Sequence, residues 1–361
     1  MTEKEAYVAF NLTENVGFAT VDKLVQSVGS AVEAWQRWPK KISRTGGEVD
    51  WKREFDLAKR HNVEILTPAD EDYPAILANT PARPLALYVR GDVKALSKPS
   101  IAMVGTRRAT SYGLNMADKL SYDLAKAGWS IVSGLALGID AQSHKGALEA
   151  SGITVGVLGS GLDCFYPEQN IPLAREIVAN GGAVISEFAF GRNPDRETFP
   201  IRNHVVAGLS RGVIAVEASL KSGTLITTSI AADLGRTVMA VPGRADSRSS
   251  AGCLKLIREG AILVRDADDV LEAMSELFPN KVKSEEERGD LKAVDPDQPP
   301  YTVEEALVML HVDAEGVSLE KIASLTGLGV LKVNSLAMTL RIKGFVRFLP
   351  GNRIALSRPV R

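Results

Sequence analysis

The chain has 361 residues, 45% of them hydrophobic and 24% charged, and a formal net charge of −1. That length allows two or three domains around one sizeable core, and the neutral balance excludes binding of a polyanion by bulk charge, so any such site must be a local patch. The acidic start MTEKEAYVAF lacks an apolar h-region and no apolar run is long enough for a bilayer span. Cys164 and Cys253 stand far apart, so we expect neither a signal peptide nor a disulfide framework but a reducing cytoplasm.

Residues 1–65 read as helices without strand signal, broken at Gly17 and Gly29. The stretch NVGFATVDKLVQSVGS suits a helical domain of the SAM or helix-hairpin-helix kind. Such hairpins grip phosphates with backbone N–H groups in a glycine turn. That turn uses two glycines and only Gly17 stands there, so a packing domain is the alternative.

Residues 66–280 alternate apolar runs with helical patterns. Strands are predicted at Ile101–Val104, Ser130–Ser133, Thr154–Leu158, Ala183–Ser186, Val213–Glu217, Val238–Val241 and Ile262–Val264. Helices are predicted at Asn115–Ala127, Ala141–Ala150 and Ser229–Leu234. The strands are mostly apolar throughout, as in a sheet covered on both faces. Their alternation with helices gives an α/β fold, a Rossmann-like, doubly wound, mainly parallel sheet.

Residues 281–300 are charged and proline-rich without periodicity and read as a linker. Residues 301–361 carry two helical patterns around a glycine turn and then a hairpin, RFLPGNRIAL, which is a winged-helix pattern. From Lys321 onward there are eight Lys or Arg and no Asp or Glu. Such a surface suits DNA, although winged helices also bind proteins.

Open α/β sheets bind ligands beyond the carboxyl ends of their strands, near helix N-termini. After the first predicted core strand come Gly105, Thr106 and Arg107, a tight turn with a fork-shaped phosphate donor, but no GxGxxG. After the second come Ser133 and Gly134, then Asp140 and His144, which read as a helix cap and a hydrogen-bonded histidine in preference to half a metal site. After the fourth, Arg192, Arg196, Phe199, Arg202, Asn203 and His204 crowd one segment. An aromatic ring among arginines is a stacking platform beside phosphate partners. After the fifth, Lys221, Ser222, Gly223 and Thr224 precede a helix and suit an anion, without forming a P-loop. Val241-Pro242-Gly243-Arg244 adds another turn. A row of such turns follows a polyphosphate backbone better than one small nucleotide.

There is no GxSxG, HExxH or Walker motif, so no catalytic residue, cofactor or metal is expected. Glu187 and Glu217 each follow a strand and could approach one another, which keeps an enzymatic reading open.

The segments IAMVGTRRATSYG, SGLALGIDAQSHKGAL, GSGLDCFYP, ISE, FPIRNHVVAGLS, VEASLKSGTLIT and AVPGR, in this order between about Tyr73 and Ala261, resemble the DprA (Smf) family of DNA-processing proteins. DEDYPAIL and LYVRGD look like that family's lead-in. The resemblance implies a homodimer that binds single-stranded DNA. It further implies that the protein loads the RecA recombinase against single-strand-binding protein during natural transformation. By that likeness Gly105, Thr106 and Arg107, Ser133 and Gly134, Phe199, Arg202 and Asn203, and Lys221 to Thr224 would contact nucleic acid. Two departures stand out. His204 replaces the last arginine of R-N-R, and Leu254 stands where the G-x-N-x-L-I pattern has asparagine.

Two other functions compete. A nucleotide phosphoribohydrolase on the same fold would carry P-G-G-x-G-T-x-x-E where this chain has Lys-Ser-Gly-Thr-Leu-Ile. A transcription regulator would use the winged helix on a palindromic duplex.

Overall fold

The structure is a computed structural model that describes residues 1–277 apart from 40 and 45, and residues 302–313, 316–342, 345–349 and 353–356. The chain forms two compact units, residues 1–281 and 282–361. The expected linker, 281–300, lies outside the described residues.

The first unit opens with four helices. α1 (Glu3–Leu12) starts at a Thr2–Glu5 capping box, and α2 (Phe18–Val28) stops at Gly29, whose φ of +97° glycine tolerates best. α3 (Ala31–Arg37) and α4 (Trp51–Arg60) start at Ser30 and Asp50 caps. Phe10 sits edge-on to Trp35 and Trp38, with centroids at 5.1 and 5.9 Å. Val8, Ala58 and Val63 share a core with Tyr88 and Val184, so these helices pack directly on the sheet that follows.

Next come β1 (Glu64–Leu66), α5 (Ala75–Ala78) and β2 (Leu87–Gly91). Alternating units follow: β3 (Ser100–Gly105), α6 (Ser111–Lys126), β4 (Ser130–Ser133), α7 (Ile139–Glu149), β5 (Thr154–Val157), α8 (Ile171–Ala179), β6 (Ala183–Ser186) and α9 (Thr198–Gly208). The unit closes with β7 (Gly212–Glu217), α10 (Gly223–Asp233), β8 (Thr237–Ala240), α11 (Ala251–Arg258), β9 (Ile262–Leu263) and α12 (Ala267–Leu277). The nine strands lie in the order β1-β2-β6-β5-β4-β3-β7-β8-β9. From β3 to β9 all pairs are parallel, while β1 and β2 add an antiparallel edge. The chain winds outward from β3 to β6 and returns to β7 on the other side of β3, so the fold is Rossmann-like and doubly wound, as expected. Alternate residues of β3 feed opposite layers: Ala102 and Val104 pack toward α9 and α10, and Ile101 and Met103 toward α6 and α7.

The seven predicted strands are present to within a residue or so at each end. No strand was expected at β1 and β2 and no helix at α9, which takes up the TFPIRNH end of the arginine-rich segment. Pro200 sits in the first turn of α9, where the missing N–H costs no intrahelical bond.

In the second unit α13 (Val303–Met309), β10 (Val317–Ser318), α14 (Leu319–Thr326), α15 (Val330–Ile342), β11 (Val346–Leu349) and β12 (Arg353–Leu356) enclose their own core, which includes Val308, Ile322, Val333 and Ile354. Its sheet is antiparallel in the order β10-β12-β11, and Gly327, with φ +71°, turns α14 into α15.

Candidate nucleic-acid interface

Parallel strands all present their carboxyl ends at one edge of a sheet. The turns after β4, β3, β7 and β8 belong to consecutive neighbours and span about 14 Å at the usual strand spacing. The turn after β3 is held from below by Glu217, the buried last residue of β7. Thr106 N–H donates to its carbonyl at 2.8 Å, and Thr110 N–H donates to its carboxylate at 2.9 Å. Gly105 has to be glycine here, because a Cβ would meet the Ile139 side chain. Thr106 accepts from Arg108 N–H through its hydroxyl, and Arg107 is exposed.

Glu217 therefore does not meet Glu187. β6 and β7 are separated by β5, β4 and β3, about 19 Å in all, which removes the carboxylate pair left open by the sequence.

The helix cap expected at Asp140 is Gly138 instead, with φ +79°. Asp140 lies in the first turn of α7, buried, and its carboxylate reaches back to Ala136 N–H at 3.4 Å. Burial raises its pKa, and Arg202 acts against that rise. His144 is fully buried and hydrogen-bonded, as expected. Its Nδ1 lies 2.6 Å from Thr154 Oγ1, whose only proton goes to the Ile131 carbonyl. Nδ1 must therefore donate, which leaves Nε2 as a bare acceptor. Nε2 has no partner, and burial holds the imidazole pKa down at about 3. Among the described residues no three His, Cys, Asp or Glu side chains cluster to hold a metal ion.

Between the ends of β3, β4 and β5 and the start of α9 lies an open cleft lined among others by Arg107, Gly134, Leu137, Tyr166, Phe199 and Arg202. The Arg107 guanidinium lies over the Phe199 ring, 4.9 Å from its centroid. The Tyr166 ring tilts against Phe199 at 6.1 Å. Below them Arg202 is only 6% exposed. It donates to the Val157 carbonyl at 2.7 Å and to the Gly134 carbonyl, while its Nε stays buried without a partner. Burial lowers the Arg202 pKa, Asp140 raises it and Arg107 lowers it further. Gly134 separates the two opposite charges, since a Cβ there would lie 2.7 Å from Asp140 Oδ2 and against the Arg202 guanidinium. Two cations thus face one carboxylate.

Four of the residues singled out by sequence, Arg107, Gly134, Phe199 and Arg202, meet in this cleft. Ser133 lies beneath it, fully buried, with its hydroxyl donating to the Met103 carbonyl at 2.6 Å; it ties β4 to β3 and offers nothing outward. Asn203 is half-buried one position along α9 and is absent from the cleft lining. Ser222 caps α10, and its hydroxyl bonds Thr224 Oγ1 at 2.8 Å. Thr224 is itself buried, Gly223 stands open, and Lys221 is the exposed cation of that turn. This turn follows β7, beside the cleft and outside its lining. Arg192 and Arg244 are engaged in exposed ion pairs with Asp195 and Asp246, pairs weak enough to yield to phosphate. His204 is half-buried with its pKa lowered by burial, so the position of the family arginine is uncharged at neutral pH. Leu254 is half-buried on α11. Tyr166 and Leu137 were not anticipated. Tyr166 belongs to GSGLDCFYP, where an aromatic after a strand was the available signal.

The family model of DNA recombination-mediator protein A matches residues 64–275, which carry every residue of the cleft and of the neighbouring turns. The chain belongs to this family. The Smf protein of Synechocystis is 33% identical over 393 residues, covering 98% of this chain and 98% of that protein. The DNA processing protein DprA of Streptococcus pneumoniae is 42% identical over 202 residues, covering 56% of this chain and 71% of that protein. The X-ray structure of Streptococcus pneumoniae DprA superposes with a TM-score of 0.62 at 32% identity, covering 75% of this chain and 98% of that one. The Helicobacter pylori DNA processing protein A, a structure concerned with its single-stranded DNA binding mode, gives 0.54 at 31% identity and covers 59% of this DprA-family chain and 96% of its own. Among the described residues no helix is long and apolar enough to cross a membrane.

Proposed function

We propose that this DprA-family chain is a recombination mediator that binds single-stranded DNA across the β4-β3-β7-β8 edge, without making or breaking covalent bonds. The observation that carries this reading is the Arg107–Phe199 pair over a cleft floored by buried Arg202. A base stacks on Phe199, and Arg107 turns from the ring toward phosphate. Lys221 takes the next phosphate along the edge, beside the Gly223 N–H at the start of α10, since the Thr106 and Ser222 amides are already bonded to the Glu217 and Ser219 carbonyls. Gly134 and Arg202 shape the floor, and Asn203 lies beside it. The Helicobacter pylori relative supports the choice of a single strand.

In this reading the protein acts in the cytoplasm as a homodimer. It shields incoming DNA and hands it to the RecA recombinase in the presence of single-strand-binding protein during natural transformation. The second unit is read as a winged helix, from its α13-β10-α14-α15-β11-β12 order. The N-terminal helices are read as packing elements. The α3 amides of Ala31 and Val32, which could hold a phosphate, already donate to the Glu3 carboxylate at 2.8 and 3.2 Å. Against a nucleotide hydrolase stands the lining of the cleft, whose charged and aromatic members are Arg107, Arg202, Phe199 and Tyr166.

The test is fluorescence anisotropy of labelled oligo-dT and its duplex at several salt concentrations. Salt-sensitive preference for the single strand, lost in Arg107→Ala, is the expected result. Equal affinity for duplex, or an unaffected variant, overturns the reading.

A further inference from the structure

The segment between β6 and α9 delivers Phe199 and Arg202 to the cleft. Besides its own turns, it is fastened from outside. The Phe190 N–H donates to the carboxylate of Glu54, a buried residue of α4, at 2.9 Å. The Phe190 ring stacks on His61 just after α4, with centroids 5.2 Å apart, and meets Tyr88 edge-on at 5.5 Å. Three residues earlier, the Glu187 carbonyl accepts from Asn11 Nδ2 of α1 at 3.3 Å. The Glu187 carboxylate lies inside, with Oε1 unpartnered and Arg44 as its charge partner. Arg44 is itself pinned to the N-terminal helices through the Asn11 and Val16 carbonyls at 3.2 and 3.1 Å.

From Phe190 the restraints run without a gap to the site. Gly191 N–H donates to both oxygens of Asp163 at 2.9 Å, and the Arg192 carbonyl accepts from Gly161 N–H at 2.8 Å. Arg192 pairs with Asp195 at 2.6 Å. The Asp195 carboxylate accepts from Thr198 N–H at 2.8 Å, one residue before Phe199. The same Asp163 belongs to the loop that carries Tyr166, so both aromatic walls of the cleft are tied to one frame.

We propose that the N-terminal helical segment is a positioning brace for the DNA-contacting end of α9, fastened through Glu54 and Glu187. This rests on the reading of the cleft as the single-strand site. Neither residue touches DNA; they fix the loop that places those that do. The Glu187 fastening is also pH-sensitive. Its carboxyl is pushed up to about 7 by burial, against the pull of Arg44. The other charged or titratable groups around it are Tyr73, and Arg192 and Glu14 near Arg44. A carboxyl raised above its ordinary value stabilises the fastened loop when protonated, and that contribution is lost as pH rises through about 7.

The experiment uses the full chain and compares Glu54→Ala, Glu54→Gln, Glu187→Gln and Arg107→Ala by oligo-dT anisotropy and by amide exchange across residues 188–198. Glu54→Ala should weaken oligo-dT binding by at least about fivefold, in the range of ordinary coupling energies, and speed exchange in that loop. Glu54→Gln, which keeps an acceptor oxygen, should restore both. In the wild type, exchange in the loop, corrected for its intrinsic rate, should rise between pH 6 and 8 and stay flat in Glu187→Gln; this arm also carries the test if Glu54→Ala does not fold. If Arg107→Ala weakens binding while Glu54→Ala loosens the loop without changing affinity, the brace is overturned and the DNA site stands. A pH-flat wild-type loop overturns the Glu187 fastening. An unaffected Arg107→Ala removes the site and the brace with it.

Discussion

The Arg107 guanidinium stands over the Phe199 ring, 4.9 Å from its centroid, joining the first turn of the sheet edge to the first turn of α9. The two residues are expected to act on DNA by different physics. Phe199→Ala should cost about 1–3 kcal/mol of oligo-dT affinity as lost stacking, with the salt slope unchanged. Arg107→Ala should weaken binding and flatten the log–log salt slope by about 0.7, one phosphate's share. Anisotropy titrations across a salt series separate the two. A Phe199→Ala variant that flattens the slope as Arg107→Ala does would place the ring's contribution on phosphate instead of base.

Gly134 is the contact point between Asp140 and Arg202, with no space for a side chain. Gly134→Ala should therefore displace the Arg202 guanidinium or the loop before α7. The expected loss is about 1–3 kcal/mol of stability, the usual result of overfilling a packed site. Urea unfolding measures it; an unchanged midpoint would mean that the floor of the cleft relaxes freely.

Arg202 is a buried cation that donates to two carbonyls, with the Asp140 carboxylate near enough to act on its charge. Arg202→Met should cost about 3–5 kcal/mol, because it leaves the Asp140 charge uncompensated inside the protein. Adding Asp140→Asn removes that charge and should return part of the loss, with a coupling of about 0.5–3 kcal/mol. The check is a double-mutant cycle in urea; additive losses would show that the two side chains do not sense one another.

His144 gives the core an acid limit. Its pKa is about 3 in the fold against 6.5 when exposed, so the unfolded chain takes up a proton first. Its contribution is complete above pH 6.5 and is lost as pH falls through that window toward 3. His144→Asn keeps a donor for Thr154 and cannot titrate. Thermal unfolding of wild type should therefore fall relative to this variant between pH 6.5 and 4. Parallel curves would show that the imidazole is reached by water.

The parallel core was legible because β3 to β8 are short apolar runs between turns, a pattern that a sheet buried on both faces imposes. β1 was missed because three residues carry no measurable period, and β2 because LYVRG ends in a charge and a glycine and pairs antiparallel at the edge. The cleft was legible in Arg107, Gly134, Phe199 and Arg202 because each stands beside a strand end or in a basic aromatic segment. Tyr166 was not, since its place opposite Phe199 depends on how the loop after β5 folds over. Asp140 was misplaced as a cap because Gly138, with its positive φ, starts α7 two residues earlier. Ser133 read as a binding residue because a serine after a strand looks the same whether its hydroxyl faces the ligand or the neighbouring strand.

β3 and β7 pair from Ile101 with Gly212 onward, although three strands and four helices separate them along the chain. A nascent or nicked fragment that ends before Gly212 holds every residue of the cleft, but its central strand is left as a raw apolar edge. Such an edge recruits other strands and aggregates. The cleft is thus completed only once β7 has been made, and a module cut to end before Gly212 would aggregate instead of giving a smaller fold.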